Sequence, residues 1–124
     1  MYKIVDSNKN IYKLYEYQKE NEFEKIIVEN NEIIFGDQGI YFDLKKKIGI
    51  SKKGAAIPDG YYLDLTFHRD PQLYFIEVEL NNHDLYGHIG EQILRFSICS
   101  ETDKHKIKTI LLKNIVSDIN KKKL

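Results

Sequence analysis

The chain has 124 residues, enough for one domain with a single hydrophobic core. Nineteen Lys and Arg offset nineteen Asp and Glu, so a whole-chain electrostatic hold on nucleic acid is not evident and any basic surface must be local. The lone cysteine, Cys99, excludes an intrachain disulfide and a cysteine-rich zinc module and fits a reducing, cytoplasmic setting; no apolar run is long enough to span a membrane.

Tyr2–Val5 and Ile11–Tyr17 alternate in polarity around Asp6-Ser7-Asn8-Lys9-Asn10, which predicts a β-hairpin. Asp6 also interrupts the N-terminus too early for a signal peptide. Lys19–Asn31 reads as a helix with Phe23, Ile26, Ile27 and Val28 on its apolar arc. Gly39–Ile50, Tyr61–His68 and Leu73–Leu80 are rich in Tyr, Phe, Ile and Leu between turn residues and read as three strands. Asp84–Cys99 reads as a second helix with Leu85, Ile89, Ile93 and Phe96 on one face. Ser100-Glu101-Thr102-Asp103 has the spacing of a capping box. A last helix from about Glu101 to Asn120 would begin with acids and end at Lys121–Lys123, both favourable to its dipole. A strand over Ile107–Leu112 is the alternative. The chain then stops at Leu124, leaving open that it is cut from a longer protein. The expected fold is one mixed α/β (α+β) domain with helices against a mostly antiparallel sheet.

The informative residues are carboxylates set among apolar ones. Glu77 and Glu79 lie two apart on a strand and so point to one face. The apolar run Leu73–Ile76 before them suggests a central strand covered on both faces, where paired like charges need a cation or a proton. At about 100° per residue, Glu20 and Glu24 fall inside the apolar arc of the first helix. Gln92 sits among Leu85, Ile89, Phe96 and Cys99, flanked by His88 and Arg95. His83 and His88 are five apart, the wrong spacing for a zinc pair on one helical face, and His105 stands alone.

Together these residues resemble the PD-(D/E)XK nuclease superfamily. Pro58-Asp59 is similar to its first motif, Glu77-Val78-Glu79 follows after seventeen residues (60–76), and Gln92-Ile93-Leu94-Arg95-Phe96 is similar to the QxxxY element of the RecB-like branch. Helix, three-strand meander and helix match its restriction-endonuclease-like αβββα core over about residues 18–100. The hairpin and the C-terminal segment lie outside it. The resemblance implies metal-dependent hydrolysis of DNA phosphodiesters, with Mg²⁺ or Mn²⁺ as cofactor. Asp59 and Glu77 would ligate the ion beside the Val78 carbonyl, Glu20 or Glu24 would be an outer ligand, and Gln92 would join the catalytic set. Asp64 competes with Asp59, since a hairpin turning near Asp70-Pro71 would place Asp64 opposite Glu77. Glu79 stands where the family usually has lysine. It is either a further ligand and catalytic group or the mark of a catalytically inactive module that binds nucleic acid or protein. Lys45, Lys46, Lys47, Lys52, Lys53 and Arg95 are the candidate contacts to DNA phosphate. A homodimer or a companion subunit is compatible with so small a domain.

Overall fold

The computed structural model describes residues 2–45, 56–82 and 84–122. The first hairpin pairs β1 (Lys3–Val5) with β2 (Ile11–Lys13), Val5 opposite Ile11. One side chain ties its turn. The Asp6 carboxylate accepts from the Asn8 and Asn10 backbone N–H groups, the Asn10 amide and the Tyr12 hydroxyl. The second strand ends at Lys13 rather than Tyr17, because Lys13 is already opposite Lys3, where β1 begins. Tyr17 instead stacks on Phe23 of the next helix, ring centroids 4.6 Å apart.

Helix α1 (Glu20–Glu29) carries Glu20 and Glu22 in its first turn, where acids suit the helix dipole. The chain breaks at Asn30 and continues as α2 (Asn31–Phe35). Gly36 ends α2 with φ 100°, a left-handed backbone that glycine adopts without a Cβ clash.

Three strands follow, β3 (Gly39–Phe42), β4 (Gly60–Asp64) and β5 (Gln72–Ile76), antiparallel and in that spatial order. Alternation divides their side chains between two faces. Phe42, Tyr61 and Phe75 join Phe96, Cys99, Ile107 and Leu111 in the core. Tyr41, Tyr62 and Tyr74 line the other face, where Phe35 stacks on Tyr41 and Tyr62 and the Tyr62 hydroxyl donates to the Phe35 carbonyl at 3.0 Å. The expectation that Leu73–Leu80 is a central strand is overturned. Among the described residues β5 is an edge strand ending at Ile76, and its Leu73 and Tyr74 are 38% and 50% exposed.

The Tyr41 ring lies across Gly60, where a Cβ would collide with the Tyr41 hydroxyl and crowd the Phe42 carbonyl. Gly60→Ala is therefore expected to displace Tyr41 and to destabilise the fold by about 1–3 kcal/mol, read as a lower midpoint in urea at unchanged slope.

A π-helical turn (Leu85–Ile89) precedes α3 (Gly90–Thr102). The Asp84 carboxylate caps it, accepting from the Gly87 N–H. The wider turn shifts the phase of the helix that follows. Ile93, expected on the buried face, is 62% exposed, while Phe96 and Cys99 are buried. The expected capping box does not form. The Ser100 and Thr102 hydroxyls donate back to the Ser97 and Ile98 carbonyls, and α3 continues to Thr102. The break falls at buried Asp103, so α4 (Lys104–Lys122) begins with no acid in its first turn. This last element is a helix and not a strand. Ile107 and Leu111, four apart, both enter the core, which a helical period allows.

The result is a mixed α/β domain with a small antiparallel sheet flanked by helices. Among the described residues no helix is long and apolar enough to cross a membrane.

Candidate functional site

Register brings the first two acids together. Gly60 pairs with Ile76, so Asp59 and Glu77 are the next residues outward beside each other, one before β4 and one after β5. The Asp59 N–H donates to the Ile76 carbonyl at 3.0 Å, and the Val78 N–H donates to Asp59 Oδ2 at 2.9 Å. Asp59 thus bonds the residues on both sides of Glu77 and fixes its place. Pro58, fully buried, has no N–H to extend the ladder. Asp64 is placed elsewhere, which corrects the alternative that set it opposite Glu77. The chain turns through the loop 65–71 rather than a tight turn at Asp70-Pro71. Asp64 is therefore opposite Gln72 and binds the Thr66 N–H and hydroxyl at 2.9 and 2.6 Å.

Lys45, just beyond β3, reaches into this group. Its Nζ lies 2.6 Å from Glu24 Oε2 and 3.0 Å from Asp59 Oδ1. The Glu24 and Asp59 side chains are 20% and 17% exposed, against 50% for Lys45. Burial works against the charged Lys45, but the hydrogen bonds and charges of Glu24 and Asp59 outweigh it and hold the ammonium above its ordinary range. Lys45 therefore pairs with the carboxylates. Lys46, Lys47, Lys52 and Lys53 lie outside the described residues, as does His83. Sequence patterning gave no hint of Tyr41. Burial first, then the charges of Asp43, Asp59 and Glu24, push its hydroxyl up to about 12, so it stays a protonated donor beside the cluster.

The charge on Glu77 is disfavoured. Its Oε2 is buried and without a hydrogen-bond partner among the described residues. Burial, then the charges of Asp59, Glu79 and Glu20, push its carboxyl up to about 7, with Lys45 pulling the other way. Both α1 acids thus act on this group, Glu24 through Lys45 and Glu20 through its charge on Glu77. Their i, i+4 spacing puts them on one helix face.

Glu79 is turned to a different partner. Its side chain is 5% exposed, and Oε2 lies 3.2 Å from His88 Nε2 on the π-helical turn. Sequence reasoning set His88 aside as a zinc ligand on its spacing; its pairing with Glu79 depends on that turn. Gln92 is half-buried in the first turn of α3 and makes no hydrogen bond to the carboxylates among the described residues. Arg95 is paired with Glu91 one turn back on α3.

The donors suit a hard divalent cation. They are carboxylate oxygens, and Glu77 Oε2 is an orphaned buried acceptor among the described residues. Their present arrangement is built around an ammonium, however. Among the described residues no three His, Cys, Asp or Glu side chains converge closely enough to hold a metal ion. A cleft of about 350 Å³ opens beside the cluster, lined by Asn21, Glu24, Lys25, Val28, Asp43 and Lys45 among others. The larger apolar groove, about 620 Å³ between the sheet and α3 and α4, shares no lining residue with the cluster. No protein-family model matches this chain, and neither a curated protein nor a solved structure gives a significant match.

Proposed function

We propose that the chain is a metal-dependent phosphodiester hydrolase domain of the PD-(D/E)XK type, acting on DNA. The observation that carries the reading is the placing of Asp59 beside Glu77 at the ends of adjacent strands, with Glu77 Oε2 buried and unpartnered and Glu24 and Lys45 completing the group. Asp59 and Glu77 would hold a Mg²⁺ or Mn²⁺ ion, with Glu24 or Glu20 outside them. The ion would supply a Lewis acid for the phosphoryl oxygen and a water of lowered pKa. The chain's own residues do the remaining work. Asp59 fixes the strand ends through its bond to the Val78 N–H. Tyr41 presents a protonated hydroxyl beside the acids. Lys45 neutralises Glu24 and Asp59 in the metal-free protein.

One observation favours the second reading, a nuclease-like binding module without catalysis. Glu79, at the position of the family's lysine, is buried against His88 and offers no cation to a substrate. The separating experiment incubates plasmid, linear and single-stranded DNA with the protein and Mn²⁺ or Mg²⁺. Hydrolysis is expected on at least one form, abolished by chelator and by Glu77→Ala. No cleavage of any form by protein that binds Mn²⁺ would support the inactive module, and absence of Mn²⁺ binding would end the nuclease reading.

A further inference from the structure

We propose that Lys45 is the internal counter-ion of the carboxylate cluster, and that it must leave Glu24 and Asp59 before a divalent cation can take their oxygens. The inference rests on the reading of this cluster as a cation site, and it adds a competitor for that site built into the chain.

Three observations carry it. First, one ammonium contacts two carboxylates from separate elements, Glu24 on α1 and Asp59 before β4, at 2.6 and 3.0 Å. Those two acids, with Glu77 and Glu20 acting on the same place, would repel one another without it. Second, Glu24 and Asp59 meet at the Lys45 ammonium. Among the described residues no three potential ligands are close enough to bind a metal ion as they stand. A cation that takes both Glu24 and Asp59 therefore has to occupy the position of the ammonium. Third, Lys45 has somewhere to go. Its side chain is half exposed while both partners are mostly buried, and the adjoining cleft holds the Asp43 carboxylate as another acceptor. A lysine on a flexible four-carbon stem can make that move at little cost, whereas the buried acids are held by α1 and the sheet.

The consequence is a metal affinity set below what the carboxylates alone would give. Lys45→Met keeps much of the stem and removes the charge. Calorimetric titration of Mn²⁺ into the metal-free full chain, without nucleic acid, should show the variant binding about tenfold more tightly than the wild type. Its melting temperature should be lower without metal and should rise further at saturating Mn²⁺. Equal or weaker Mn²⁺ binding by folded Lys45→Met would overturn the competition while leaving the cation site standing. Binding by neither protein would overturn both. Should the variant fail to fold, the wild type carries the test. The Lys45 side-chain ammonium, held by two carboxylates, should give a distinct ¹H–¹⁵N signal that moves to the free-lysine position as Mg²⁺ is added. A signal that stays in place at every Mg²⁺ concentration reached would overturn the proposal. Neither arm reads DNA cleavage, so failure of the hydrolase reading is seen separately.

Discussion

Asp59→Ala is expected to lower the stability of the metal-free protein by about 2 kcal/mol and to weaken Mn²⁺ binding by more than about 100-fold. The stability loss comes from the Val78 N–H, which donates to Asp59 Oδ2 at 2.9 Å and has no replacement acceptor in a buried strand end. An orphaned donor of this kind costs about 1–3 kcal/mol. Loss of the Lys45 pair adds to this, and relief of repulsion on Glu77 offsets part of it. Asp59→Asn separates the two roles. Its amide oxygen can still accept from Val78, so its stability should stay within about 1 kcal/mol of the wild type, while its Mn²⁺ binding should fall as far as in the alanine variant. Urea denaturation and calorimetry measure both quantities. An Asp59→Asn protein as unstable as Asp59→Ala would show that charge, and not the strand-end hydrogen bond, holds Asp59 in place.

The second large effect is a pH dependence with an unusual sign. The Glu77 carboxyl stands at about 7 in the folded protein, against an ordinary value of 4.5. The folded state therefore holds this proton more tightly than the unfolded state. Stability is highest below the unfolded value and falls as pH rises from about 4.5 to about 7. The shift sets an upper bound of about 3 kcal/mol. Solvent screening at a half-buried group reduces that to roughly 1–2 kcal/mol. Asp6 and Asp64 have carboxyls held below their ordinary values, so their contributions are lost only in stronger acid and lie outside this window. Glu77→Gln should remove the fall, making the variant more stable than the wild type at pH 8 and no more stable at pH 4. The difference between the two proteins also cancels any contribution from the histidines. A variant less stable than the wild type at pH 8 would mean that the Glu77 charge is structural.

Much of the fold follows from local patterning. The turn at Asp6, the helix across Phe23–Val28 and the three apolar strands are each set by side chains close in sequence. Local physics is enough there: a carboxylate that caps its own turn, an apolar arc at helical spacing, and alternation across a sheet. The order of acids before and within the meander was legible for the same reason. So was the face shared by Glu20 and Glu24, which is a property of the helix period.

The last helix shows where local information ends. Ser100–Asp103 has capping spacing, yet α3 runs through it and breaks at Asp103, because Phe96, Cys99, Ile107 and Leu111 must all reach one core. The π-helical turn acts similarly on α3, turning Ile93 outward.

The residue types the site draws on, and their order, can be read along the chain: acids on α1, an aspartate before a strand, two glutamates after the next. Which of them meet depends on how the elements pack. A loop over 65–71 sets the β4–β5 register, and a strand's two-residue period makes that register decisive, so Asp59 neighbours Glu77 and Asp64 does not. Lys45 read in sequence as a candidate phosphate contact, and its pairing with two acids depends on α1 and the start of β4 meeting at its ammonium. Glu79 adds its charge to those acting on Glu77 while its carboxylate pairs with His88. Charge pairing across elements depends on distances that no spacing along the chain encodes, and that is why the cluster's cation became visible only in three dimensions.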